Sequence, residues 1–107
     1  MNGFSVLTFH FNEAPSRSLF GELFELFKQA KRVGKVRVVL NLKEFHEINA
    51  DVAELLDMEH QRLRDYGGGI HIVSRSLFMI QQLTRQGLDL LVFPSEEQAI
   101  DKFRRLT

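Results

Sequence analysis

The chain has 107 residues, with 14 Lys and Arg against 14 Asp and Glu, no Cys and no Trp. That length suits one domain that buries roughly two-thirds of its unfolded surface, and the missing Cys excludes disulfides and thiolate chemistry. Balanced charge argues against a non-specific grip on nucleic acid or anionic membrane, because both rest on basic excess.

The opening MNGFSVLTFHFNEAP carries neither a charged leader nor a long apolar core, and no apolar run approaches the ~20 residues of a membrane span. A single cytoplasmic domain over 1–107, with no direct membrane insertion, is the expectation. Ten Phe against one Tyr is a lopsided usage. Phe fills cores without a polar partner, and ten in so short a chain point to an apolar surface as well.

Residues 4–11, FSVLTFHF, alternate Leu7, Phe9 and Phe11 with Val6, Thr8 and His10, the period of a half-buried strand. Asn12 to Pro15 reads as a loop, with Ser16 as N-cap of the helix that follows. From Arg17 to about Val33, Leu19, Leu23 and Leu26 make one helical stripe beside a second of Phe20, Phe24 and Phe27. The two form an apolar face wider than one packing surface requires. Gly34 suits the position just past that helix.

The run Val36–Leu42 reads as a buried strand, and Val52, Leu55 and Leu56 then switch to helical spacing over about Ala50 to Tyr66. Gly67-Gly68-Gly69 ends the helix. Because these glycines precede a strand rather than a helix, they read as a turn and not as a phosphate cradle. IHIVS, 70–74, is a third strand. Ser76 is placed to cap a helix to about Arg85, with Leu77, Ile80 and Leu83 inward and Gly87 closing it. Leu90 to Phe93 is the last strand. Ser95-Glu96-Glu97-Gln98 matches a capping box for a final helix whose buried face is Ala99, Ile100, Phe103 and Leu106. The order β-α-β-α-β-α-β-α with short connections predicts an α/β fold, an approximately four-stranded, mostly parallel sheet with four helices packed on it.

The segment VRVVLNLKEFHEINADVAELL, 36–56, resembles the signature of STAS domains, the family of the bacterial anti-sigma factor antagonists. There a hydrophobic strand and a short loop lead into Ile-Asp-Ser-Ser-Gly-Leu at a helix start. Tyr66-Gly-Gly-Gly-Ile-His-Ile-Val, Leu83-Thr-Arg-Gln-Gly-Leu-Asp-Leu-Leu-Val-Phe and Pro94-Ser-Glu-Glu-Gln-Ala-Ile are similar, in order, to later family segments. The resemblance covers roughly 36–103; the N-terminal third lacks the family's extra leading strand and its Gly-x-Leu.

At the switch, Asn49 stands at the family's Asp, Ala50 and Asp51 at its two hydroxyl positions and Val52 at its Gly, while Asn41 replaces another position that is often acidic. Neither Ala50 nor Asp51 can be phosphorylated as the family's Ser or Thr is. The resemblance implies a non-enzymatic protein-binding module that docks on a switch kinase or anti-sigma factor through the 49–57 loop and helix edge. The runner-up that the resemblance admits is an accessory subunit of a lipid-transport ATPase; STAS domains can also carry nucleotides or lipids, but no residue here argues for one, and no cofactor is expected.

Two readings of the candidate residues stay side by side. Asp51 either complements the N-terminal end of its helix or supplies a permanent charge where the family adds one reversibly. Glu47, Asp51, Glu54 and Asp57 form either a solvated helix face or, with Asn49 and Ala50, a docking patch for a basic partner. Phe20, Phe24 and Phe27 are either core or a self-association face, which would make the protein a homodimer or an oligomeric scaffold. His10, His46, His60 and His71 show no metal-ligand spacing, and no carboxylate pair has a nucleophile beside it, so neither catalysis nor a metal site is expected.

Overall fold

The computed structural model describes residues 5–12, 18–33, 36–85 and 91–105. Strands β1 (Ser5–His10), β2 (Val36–Asn41), β3 (Gly69–Val73) and β4 (Leu91–Phe93) alternate with helices α1 (Leu19–Val33), α2 (Ala50–Asp65), α3 (Leu77–Arg85) and α4 (Glu96–Arg105). The strands pair in the order β1-β2-β3-β4, and every pairing is parallel. The expected α/β architecture is present, with the sheet parallel throughout.

This topology settles where the helices go. Right-handed crossovers that step in one direction across a sheet place their helices on one face. Accordingly Leu23 and Phe27 of α1, Leu55, Leu56 and Leu63 of α2, and Met79 and Leu83 of α3 share one core with Val38, Leu40, Ile70 and Ile72. The last helix is not a crossover. It covers the opposite face, where Ala99 and Phe103 pack on Val39 and Val73. With both faces covered, β2 and β3 are buried along almost their whole length, which is why they read as continuous apolar runs rather than alternating ones.

The α4 layer holds buried polar groups in place of part of a core. Arg37 reaches from β2 to donate to the Phe103 carbonyl at 2.9 Å, with its guanidinium carbon 5.6 Å from the centre of the Phe103 ring. His71 of β3 stacks on Phe103 at 3.5 Å between centroids. Its Nδ1–H donates to the Ala99 carbonyl at 2.8 Å, since a carbonyl only accepts. Burial lowers the His71 pKa from 6.5 to about 4, the Ala99 hydrogen bond opposes it, and Coulombic repulsion from Lys102, Arg37 and, when protonated, His60 adds to the lowering.

Helix ends follow the local chemistry. Gly67, at φ 84°, lets Gly68 N–H reach the Leu63 carbonyl and Gly67 N–H the Arg64 carbonyl. These are the two hydrogen bonds of a Schellman motif. Ser76 Oγ accepts the Met79 N–H and Ser95 Oγ accepts the Gln98 N–H, as the sequence predicts for both caps. For α1 the described cap is Ser18, whose Oγ accepts the Gly21 N–H at 3.1 Å; Ser16, Arg17, Gly34, Gly87 and Leu106 lie outside the described residues.

One packing expectation is corrected. Leu77 is exposed and Ile80 half-buried, while Met79 is fully buried with Leu83. The inward stripe of α3 therefore begins at Met79 and steps by four to Leu83.

Candidate functional site

The site grows out of the loop that joins β2 to α2. Asn41 ends β2 nearly buried, and its Oδ1 accepts the Lys43 N–H at 3.1 Å, which turns the chain out of the sheet. Phe45 and Ile48 then plug the loop into the core. Helix α3 holds the loop from the other side. Gln82 Oε1 accepts the Ile48 N–H at 3.0 Å, and Gln82 Nε2 donates to the Ile48 carbonyl at 2.6 Å. The side-chain amide thus pairs with one residue's backbone as a neighbouring strand would. Ser76 Oγ–H donates to the His46 carbonyl.

The segment that enters α2 is therefore held at both ends. Gln82 was not singled out in the sequence, where it is one polar residue within an amphipathic helix. Its signal is spacing, because it follows the inward Met79 by three residues and so flanks the Met79–Leu83 stripe.

Asn49 is the N-cap of α2. Its backbone is extended, and its side chain accepts the Val52 N–H at 2.9 Å. The hydrogen bond to a free N–H at this helix end thus comes from Asn49, two residues before Asp51, while Asp51 lies in the first turn. Ala50, Asp51 and Glu54 are exposed, as is Glu47, and Asp57 is half-buried. No ion pair engages Asp51 or Glu54 among the described residues, whereas Glu59, further along α2, pairs with Arg62.

Beside this edge runs the outer surface of α1. Phe27 is 1% exposed and belongs to the core, so it drops out of the proposed self-association face. Its burial follows from helical spacing, because Phe27 lies four residues after the buried Leu23. Phe20 and Phe24 behave otherwise: they are 38% and 51% exposed and stack on each other at 6.3 Å. Met58 of α2 is 63% exposed. Phe20, Phe24, Leu55 and Met58, together with Asp51 and Glu54, line one groove of about 230 Å³ between the two helices. Two candidate sets that are 25 or more residues apart in sequence meet in this groove.

The histidines are dispersed. His60 Nδ1 accepts the Ile70 N–H at 3.0 Å, and His71 lies under α4. His46 packs on Phe78. His10 contacts Glu96, whose Oε2 also accepts from Asn41 Nδ2 at 2.6 Å; this cluster ties the start of α4 to the ends of β1 and β2. Among the described residues no group of three or more His, Cys, Asp or Glu is disposed to hold a metal ion, and no helix is long and apolar enough to cross a membrane.

No protein-family model matches the chain, and neither the curated proteins nor the solved structures contain a significant match. The chemistry of the site itself must carry the functional reading. The groove sets exposed aromatic and thioether walls beside exposed carboxylates, the apolar centre and polar rim that a protein interface has.

Proposed function

We propose that this chain is a non-enzymatic protein-binding module that docks its partner through the Asn49–Asp57 loop and helix edge. One observation carries the reading: the exposed Phe20, Phe24 and Met58 lie in the same groove as the exposed carboxylates of Asp51 and Glu54. Contiguous exposed apolar side chains with a polar border are a feature of interaction sites. The Gln82 and Ser76 hydrogen bonds to the loop support it, since a preorganised edge loses little entropy on binding. By the resemblance of the 36–103 segments to STAS domains, the partner in this reading is a switch kinase or anti-sigma factor, bound without a phosphorylation cycle at Ala50 or Asp51, with a lipid-transport ATPase as the alternative.

The test is capture of partners from source-cell lysate on immobilised protein, comparing wild type with Asp51→Lys and identifying proteins by mass spectrometry. Recovery of a kinase-like ATPase or anti-sigma factor by wild type, lost with Asp51→Lys, is the expected result. Recovery of the same proteins by both baits overturns the docking edge. A second reading, self-association, is favoured by the stacked exposed pair Phe20 and Phe24. It requires a mass that rises with concentration in the purified protein and is returned to that of a monomer by Phe24→Asp.

A further inference from the structure

The charges of this molecule are sorted by position. Segments 18–27 and 46–58 carry Glu22, Glu25, Glu47, Asp51, Glu54 and Asp57 and not one Lys or Arg, although the chain as a whole is neutral. Helix dipoles favour acids in first turns, but that accounts for Asp51 and Glu22 rather than for Glu25, Glu54 and Asp57, which lie further along their helices. The groove between α1 and α2 opens within these acidic segments, with Phe20, Phe24 and Met58 as its exposed apolar walls.

Its shape selects among occupants. The groove is bounded by two helices that run side by side in the same layer, and such a furrow accepts a third helix by ridge-into-groove packing. On α2, Asp51, Glu54 and Met58 step by three and four residues, so they follow one line along the helix. Their span of seven residues is about 10 Å, roughly two helical turns.

We infer that this groove receives a basic amphipathic helix of a partner protein, the apolar stripe of that helix seating on Phe20, Phe24 and Met58 and its Lys or Arg side chains meeting Asp51 and Glu54. The inference rests on the binding-module reading and deepens it by naming the partner's chemistry. An acidic or neutral helix would leave the carboxylates facing like charge or no counter-charge. A cationic helix with no apolar stripe would leave Phe24 and Met58 in water.

The experiment uses two labelled 16-residue synthetic peptides with the same Leu stripe at helical spacing, one with Lys and the other with Glu at the remaining positions. Each is titrated by fluorescence anisotropy against wild type, Asp51→Lys/Glu54→Lys, Phe24→Ser and Glu97→Lys, at low and high salt. Glu97 is exposed on α4 at the other face, so its reversal measures general charge attraction.

The expected result is at least tenfold tighter binding of the Lys peptide by wild type. The double reversal inverts that preference, the charge-neutral Phe24→Ser weakens binding at least tenfold, and Glu97→Lys changes it less than twofold. Equal binding of the two peptides overturns the inference, as does an effect of Glu97→Lys as large as that of the double reversal. Failure of the Lys peptide to bind overturns it too, including where sedimentation shows wild type to be a dimer that Phe24→Asp dissociates, because a second copy then fills the groove. If the peptides fail while lysate capture still depends on Asp51, the basic-helix inference falls and the binding-module reading stands; if both fail, both fall.

Discussion

Lowering the pH should unfasten α4 through His71. The ring is 2% exposed, lies stacked against Phe103 and titrates near pH 4 rather than 6.5. In the unfolded chain it regains the ordinary value, so between about pH 6.5 and 4 the unfolded state binds a proton that the native state refuses. The native pKa is the lower one; stability is therefore fully present above about pH 6.5 and falls as the pH drops towards 4. A displacement of about 2.5 units, at about 1.4 kcal/mol per unit, amounts to ~3 kcal/mol. That is an upper value, since local opening of α4 would let water reach the imidazolium before the whole domain unfolds.

Nearby groups do not offset this loss. Those that act electrostatically on His71 are His60, Lys102 and Arg37, each positive when charged. Urea unfolding of wild type and His71→Gln at pH 7.5, 6.5, 5.5 and 4.5 isolates the effect. Glutamine stays neutral throughout, and its amide retains a donor for the Ala99 carbonyl. The wild-type advantage should shrink by 1–3 kcal/mol across that range. Parallel curves for the two proteins would refute the argument and would mean that water already solvates the ring beneath α4.

Three further outcomes follow from the packing. Phe24→Asp should leave the thermal midpoint within a few degrees of wild type, because Phe24 is half exposed, whereas Phe27→Ala should cost about 3–5 kcal/mol in urea unfolding. Asn49→Ala removes the bond to Val52 N–H and should cost about 1 kcal/mol; Asp51→Lys, with no such bond, should cost less in the same measurement. Gln82→Leu deletes both hydrogen bonds to Ile48, and hydrogen exchange at the Ile48 amide should quicken by at least tenfold while that at Ile72, deep in the sheet, is unchanged.

The elements were legible in the sequence where local signals and the fold agree. Val36–Leu42 reads as buried because parallel central strands are apolar on both faces, and the glycines at 67–69 read as a stop because one of them must take positive φ. Side-chain direction was harder. The wide apolar face of α1 gave no means of telling Phe27 from Phe24, since both lie on it and the angle of the helix over the sheet decides which is covered. Leu77 illustrates the same limit at a helix start, where the run Leu77-Phe78-Met79-Ile80 is apolar throughout and only Met79 is fully buried. The groove was not legible at all. Its walls come from α1 and α2, and only the side-by-side placement of their crossovers brings Phe24 to Met58.

That placement also explains how a neutral chain comes to have a polarised surface. Each helix returns antiparallel to its strand, so the helix N-termini gather at one end of the sheet and their C-termini at the other. Acids in first turns and bases in last turns, each favourable by a few tenths of a kcal/mol, put Glu22 and Asp51 at one end of the α1–α2 layer and Arg62 and Arg64 at the other. Net charge is blind to this arrangement, whereas a partner approaching within about 10 Å is not. A cationic partner is drawn to the pole where the loop is pinned by Gln82 and Ser76 and where the apolar groove opens. Charge sets the approach, and Phe20, Phe24 and Met58 set how long the partner stays, because salt screens the attraction between charges but not apolar contact. The separation can be measured: salt should slow association of the Lys peptide and leave its dissociation nearly unchanged, whereas Phe24→Ser, which changes no charge, should do the reverse.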